Sequence, residues 1–75
     1  MVFEKVQACI AGQLSIDTTD IKLESRLQED LKADSLDVVA LIMELEQEFN
    51  LEIPDDDLIA IKTVGDIVTY IDARA

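Results

Sequence analysis

The segment LDVVALIMELEQEF, Leu36 to Phe49, is the strongest constraint on what this chain can become. Wound at about 100° per residue, it sends Val38, Leu41, Ile42, Leu45 and Phe49 to one side of a helix. Leu36, Val39, Ala40 and Met43 go to the opposite side. A chain of 75 residues has room for a single core, so only one of these stripes can be buried by the rest of the molecule. The second stripe has Asp37, Glu44 and Glu48 on one flank and Glu46 on the other. An apolar strip inside a carboxylate border reads as a docking face, on which long-range attraction steers a basic partner and the apolar residues supply contact area. The plainer reading is that these residues cover another helix edge-on, or are ordinary scattered surface apolars.

Elsewhere the same periodicity recurs. Phe3, Val6, Ile10 and Leu14 fall at three- and four-residue intervals, which predicts a helix over residues 2 to 14. From Ser15 to Arg26 the run SIDTTDIKLESR is rich in side chains that compete for local backbone hydrogen bonds, so a long loop is expected, pinned by Ile16, Ile21 and Leu23. The long helix should run from Ser35 to about Phe49, stopped by Asn50 and by Pro54, which pushes Ile53 out of the helical region. Three aspartates after Pro54 suit the first turn of a short helix whose buried side is Leu58 and Ile61. A last helix is expected from Thr63, paired with Asp66 as a capping box and lined by Val64, Ile67, Val68 and Ile71, fraying near Ala73. Strand signals are few, and no internal repeat is present. The expected fold is all-α: one domain over residues 1–75, a small bundle of four helices, three longer and the third short, with a long loop between the first two.

Seventeen acids against six bases give a formal charge of −11 at neutral pH. Such a field repels nucleic-acid backbones and anionic lipid, so neither is an expected partner. Eleven acids run from Glu29 to Asp57, with Lys32 the one base among them, which makes a basic protein surface the natural partner. Cys9 stands alone and the chain has no histidine, so a disulfide within the chain and a zinc site both lack ligands. The opening MVFEKVQACIAG has no long apolar run behind a basic head and does not read as a signal peptide or membrane span. A cytoplasmic monomer is the expectation.

Ser35 lies between Asp34 and Leu36 at the start of the long helix, with Asp37 close by. Either Ser35 or Asp34 could cap that helix. Catalysis by the hydroxyl would need a base, and the surrounding carboxylates are weak ones. Lys32 is a possible base in principle, with nothing in the sequence to mark it as activated. A third reading, beside capping and catalysis, is passive: Ser35 would accept a phosphate-bearing group from another enzyme, with the free amides and dipole of the helix start offsetting part of the repulsion from Asp34 and Asp37.

The run EDLKADSLDVVALIMELEQEF, followed in order by LEIPDDD and IKTVGDIVTYI, closely resembles the acyl carrier protein family over essentially the whole chain. It looks most like the discrete carrier of bacterial fatty acid synthesis. The resemblance implies that Ser35 carries 4′-phosphopantetheine, transferred from coenzyme A by a phosphopantetheinyl transferase with magnesium. Acyl groups would then ride as thioesters on the terminal thiol, and the chain would be a substrate and shuttle rather than an enzyme. Asp34 matches the aspartate implicated in positioning the transferase's metal, and is not itself a metal site. Leu36, Val39, Met43 and Glu46 match positions that meet basic patches on synthases, reductases and acyltransferases, with Asp37 and Glu44 as lesser contributors. The growing chain would slip between the long and short helices, lined by Leu45, Leu58, Ile61 and Tyr70.

Two residues depart from many bacterial members: Lys32 stands where glycine is common, and Ala40 where an acid is frequent. Rival readings are a polyketide or D-alanyl carrier, or an unmodified acidic adaptor in which Ser35 only caps a helix. A calcium loop is excluded, because DDDLIAIKTVGD lacks the alternating oxygen ligands, central glycine and terminal glutamate of such a site.

Overall fold

The computed structural model describes residues 2–74. Four α-helices form in chain order: α1 (Val2–Leu14), α2 (Ser35–Phe49), α3 (Asp55–Leu58) and α4 (Val64–Arg74). The expected all-helical bundle with a short third helix is therefore what the chain adopts. Among the described residues, the one β-type pairing is an isolated antiparallel bridge between Arg26 and Thr63.

Each long helix turns one stripe inward: Val6, Cys9 and Ile10 from α1, Leu41, Ile42 and Leu45 from α2, and Val64, Ile67 and Ile71 from α4. Three- and four-residue spacing places each set on a single face, which is why the three helices can share one core. Helix α1 packs on both α2 and α4. Ile21, Leu27, Ile53 and Ile61, all from connecting segments, complete the apolar cluster.

Both α1 and α2 end in a left-handed residue. Ser15 has φ 58° and Asn50 φ 53°, and the next amide in each case reaches back five residues, Ile16 N to Ala11 O at 3.2 Å and Leu51 N to Glu46 O at 3.1 Å. This arrangement satisfies carbonyls that the helix end would otherwise leave without a donor.

The long loop contains a 3₁₀ turn at Thr18–Asp20 that the composition did not announce. Its anchoring also differs from expectation at Leu23. Ile21 is buried, but Leu23 is 48% exposed, and its contribution is made by the backbone: Leu23 O accepts from Gly65 N at 2.8 Å. Leu27 N donates to Lys62 O and Val64 N to Ser25 O, each at 3.0 Å, so the end of the loop is stitched to the start of α4. From α1, Gln7 Nε2 donates to Ile21 O at 2.8 Å and Thr18 O at 3.2 Å.

Thr63 precedes α4 and caps it, so the helix proper begins one residue later than expected. Asp66 N donates to Thr63 Oγ1, and Asp66 Oδ2 accepts from Thr63 N, both at 3.1 Å, and from Lys62 N at 3.0 Å. The Lys62 amide is the main reason that the Asp66 carboxyl lies below the usual aspartate range. Helix α4 continues through Arg74, past the expected fraying point at Ala73, as Arg74 Nη1 donates to Tyr70 O at 3.3 Å.

Candidate functional site

Ser35 is the first residue of α2 and is exposed. The helix is capped by Asp34: Asp37 N donates to Asp34 Oδ1 at 2.9 Å, and Asp34 N donates to Asp37 Oδ2 at 3.3 Å. Two aspartates thus form the reciprocal capping box, and the Ser35 hydroxyl is left outside the cap. That settles which residue holds the helix start. It also fixes the Ser35 backbone in the first turn, beside amides that favour an anionic substituent.

Beside Ser35 opens an apolar-walled cleft of about 720 Å³. Its walls are Leu27 from the loop, Val38 and Val39 from α2, and Leu58, Ile59 and Ile61 from α3 and the segment after it, with Gln28 and Lys62 among its polar edges. Arg26, also on its edge, is held by its neighbours: Nη1 to Glu29 Oε2 at 2.8 Å, and Nε and Nη2 to the Asp30 carboxylate at 3.2 Å each. The Arg26 hydrogen bonds keep the Asp30 carboxyl below its usual range, and the same contacts push the guanidinium higher.

Of the four residues expected to line an acyl sleeve, Leu58 and Ile61 lie on this wall. Leu45 and Tyr70 do not. Leu45 is fully buried in the main core, ten residues beyond Ser35 and so about 15 Å along the helix from the cleft's end of α2. Tyr70 faces α3 from behind, with its hydroxyl donating to Asp57 Oδ2 at 2.6 Å. Val38 and Ile59 were missed. Val38 stands three residues past Ser35 on the inward stripe, a spacing that could have placed it. Ile59 had no such signal, because it follows Leu58 directly and belongs to no periodic face.

The second stripe of α2 is open. Leu36 is 78% and Met43 56% exposed, Val39 is exposed too, and Ile59, at 76%, extends the apolar surface across the cleft mouth. Ala40 is half-buried and adds little. The carboxylate border is less uniform than the helical wheel implies. Asp37 is committed to the cap, and Glu46 is half-buried, with Oε2 accepting from Ile53 N at 2.8 Å. Glu44 and Glu48 lie near enough to α1 to help raise the Cys9 thiol, whose shift comes mainly from burial. Among the described residues, no three Cys, Asp or Glu side chains converge as a metal cage, and no helix is long and apolar enough to cross a membrane.

An exposed hydroxyl at a helix start with an apolar cleft beside it is the arrangement that suits a carrier module. Comparison with known proteins agrees: residues 4–71 match the family model for the phosphopantetheine attachment site. The chain belongs to that family, the acyl carrier proteins. It is similar to the acyl carrier protein of Clostridium acetobutylicum, 58% identical over 74 residues that cover 99% of this chain and 96% of the relative. The Helicobacter hepaticus acyl carrier protein is 56% identical over 72 residues, covering 96% and 95%. Among solved structures, an acyl carrier protein from Mycobacterium tuberculosis superimposes with TM-score 0.92 at 38% identity, covering 97% of each chain. One from Enterococcus faecalis gives TM-score 0.82 at 36% identity, covering 99% of this chain and 94% of that one.

The family's cofactor is 4′-phosphopantetheine. The residues present fit it: an exposed serine hydroxyl free of capping duty lies at the edge of a cleft whose walls are apolar. When bound, the group supplies a terminal thiol that holds acyl cargo as a thioester.

Proposed function

We propose that Ser35 is the attachment point and that this chain carries growing fatty acyl groups between the enzymes of fatty acid synthesis. The observation that carries the proposal is the position of Ser35, which is exposed, first in α2 and part of the cleft lining. In the loading step, Ser35 Oγ bonds to the phosphorus bearing the pantetheine arm of coenzyme A. The pyrophosphate P–O bond breaks, 3′,5′-ADP leaves, and the serine proton passes to a base on the transferase. The polypeptide has no histidine to act as that base. Asp34 holds the turn that presents Ser35 and offers its second carboxylate oxygen to the transferase's magnesium.

The chain is a substrate of other enzymes, working as a cytoplasmic monomer. Its partners dock on Leu36, Val39 and Met43, with Glu44 and Asp37 drawing in basic side chains. Glu46 contributes chiefly by fixing the segment after α2. Shelter for the acyl chain is the cleft bounded by Val38, Leu58, Ile59 and Ile61, whose opening lies beside Ser35.

The experiment is intact mass after incubation with coenzyme A, magnesium and a broad-specificity phosphopantetheinyl transferase. A gain of one phosphopantetheine by the parent and none by a folded Ser35→Ala variant is the expected result. No gain by the parent would return the chain to the adaptor reading.

A further inference from the structure

We infer that Tyr70 is the post to which α3 is tied, and that this tie sets how far α3 swings from the cleft and hence the length of acyl chain the carrier shelters. The inference rests on the carrier reading above. Helix α3 has four residues, none of them buried, and Pro54 at its start makes no side-chain cap. A helix that short cannot hold itself together by its own hydrogen bonds.

Two carboxylate hydrogen bonds restrain it instead. Just before it, Ile53 N donates to Glu46 Oε2 at 2.8 Å; within it, Asp57 Oδ2 accepts from the Tyr70 hydroxyl at 2.6 Å. Arg74 reinforces the second, its guanidinium 3.6 Å from the Tyr70 ring centroid and Nη2 3.8 Å from Asp57 Oδ2. A hydrogen bond to an ionised acceptor is among the stronger kinds, and a short one more so.

The geometry divides α3 into a tied side and a lining side. Asp57 faces α4, while the adjacent Leu58 and Ile59 face the cleft. Tyr70 stands on a helix anchored in the core, because Ile67 and Ile71 of α4 are fully buried. Release of the tie would leave α3 held by Glu46 and by the partial burial of Leu58, and the cleft wall free to move outward.

Amide hydrogen exchange on the full chain tests this, with Tyr70→Phe keeping the ring and removing the donor. Asp57, Leu58, Ala60 and Ile61 all use their amides in hydrogen bonds around α3, so each is a reporter. The expected result is about tenfold faster exchange at these amides, with α1, α2 and α4 unchanged. Asp57→Asn, which keeps an acceptor for the tyrosine but loses the charge and the pairing with Arg74, should fall between the parent and Tyr70→Phe. Unaltered exchange in α3, or equal acceleration in every helix, overturns the inference.

For cargo, the parent and Tyr70→Phe chains are loaded with acyl groups of increasing length, and thioester cleavage by hydroxylamine is timed. Protection should extend to longer chains in the variant. Faster α3 exchange with an unchanged protection profile would sever the tie from cargo length. Failure of the parent to load at all would remove the carrier reading, a result distinct from either.

Discussion

Asp34 and Asp37 each accept the other's backbone N–H on a side-chain carboxylate across the first turn of α2, at 2.9 Å for the Asp37 amide and 3.3 Å for the Asp34 amide, and Ser35 is held in the turn between them. Removing the cap carboxylate in Asp34→Ala should cost about 1 kcal/mol. In a domain of this size that lowers the melting temperature by about 4–8 °C. Modification of Ser35 should slow as well, since its turn frays and the transferase loses a carboxylate. Thermal melts and the rate of mass gain measure the two effects, and a variant with unchanged melting would show that Asp34 does not hold the helix start.

Lys32 has φ 62° in the loop leading to Ser35. Left-handed backbone carries a steric cost for a residue with a Cβ, of about 1–2 kcal/mol, which glycine escapes. Lys32→Gly should raise stability by about 0.5–1 kcal/mol after the greater entropy of an unfolded glycine is deducted. Urea titration gives the answer, and a loss of stability would mean that the lysine side chain contributes more than its backbone strain costs.

The inward stripes and the exposed strip of α2 could be read from spacing, because a helix repeats at a fixed angle and its neighbours fill one side, while the helix ends were marked by Asn50, Pro54 and the Thr63–Asp66 pair. The cleft could not. Its walls come from Leu27, Val38, Ile59 and Ile61, residues brought together by the bonds of Leu27 with Lys62 and Val64 with Ser25, which have no periodic signature. Leu45 and Tyr70 entered the expected sleeve through the family resemblance, not through spacing. In this structure Leu45 is packed in the main core and the Tyr70 hydroxyl is bonded to Asp57, so neither lines the cleft as it stands.

The two glycines give opposite expectations for the same substitution. Gly12 is exposed in α1 with nothing within 4 Å of a prospective Cβ, so Gly12→Ala should stabilise by about 0.5–1 kcal/mol through helix propensity. At Gly65 a Cβ would lie 3.0 Å from Leu23 O, the same carbonyl that accepts the Gly65 N–H at 2.8 Å. Gly65→Ala must displace the Leu23 carbonyl by a few tenths of an ångström against its own hydrogen bond, and the propensity gain should be cancelled or reversed. Chemical denaturation of both variants checks the contrast. Equal stabilisation would show that the loop yields without cost.

Met43 is the last residue of the exposed strip along α2 and is 56% accessible. A glutamate there can stay solvated, so the helical circular dichroism of Met43→Glu should match the parent. Docking should weaken about tenfold or more, as apolar contact is exchanged for a carboxylate at the partner's surface. Kinetics of an acyltransferase or synthase with each carrier measure it. Equal Michaelis constants for the two would place the docking face elsewhere.

One tyrosine and no tryptophan make the Tyr70 phenol directly observable by ultraviolet titration. Its hydrogen bond to Asp57, more than its partial burial, pushes its pKa above the ordinary tyrosine value. The folded state therefore binds this proton more tightly than the unfolded chain does. The stability it contributes is complete below the unfolded value of about 10 and is lost as pH rises through the folded one. Ionisation of Tyr70 should thus begin above that value in the native protein, and α3 should loosen over the same interval. In Asp57→Ala the midpoint should fall back toward that of free tyrosine. A midpoint identical in parent and variant would show that the 2.6 Å contact does not hold the proton, and the tie between α3 and α4 would go with it.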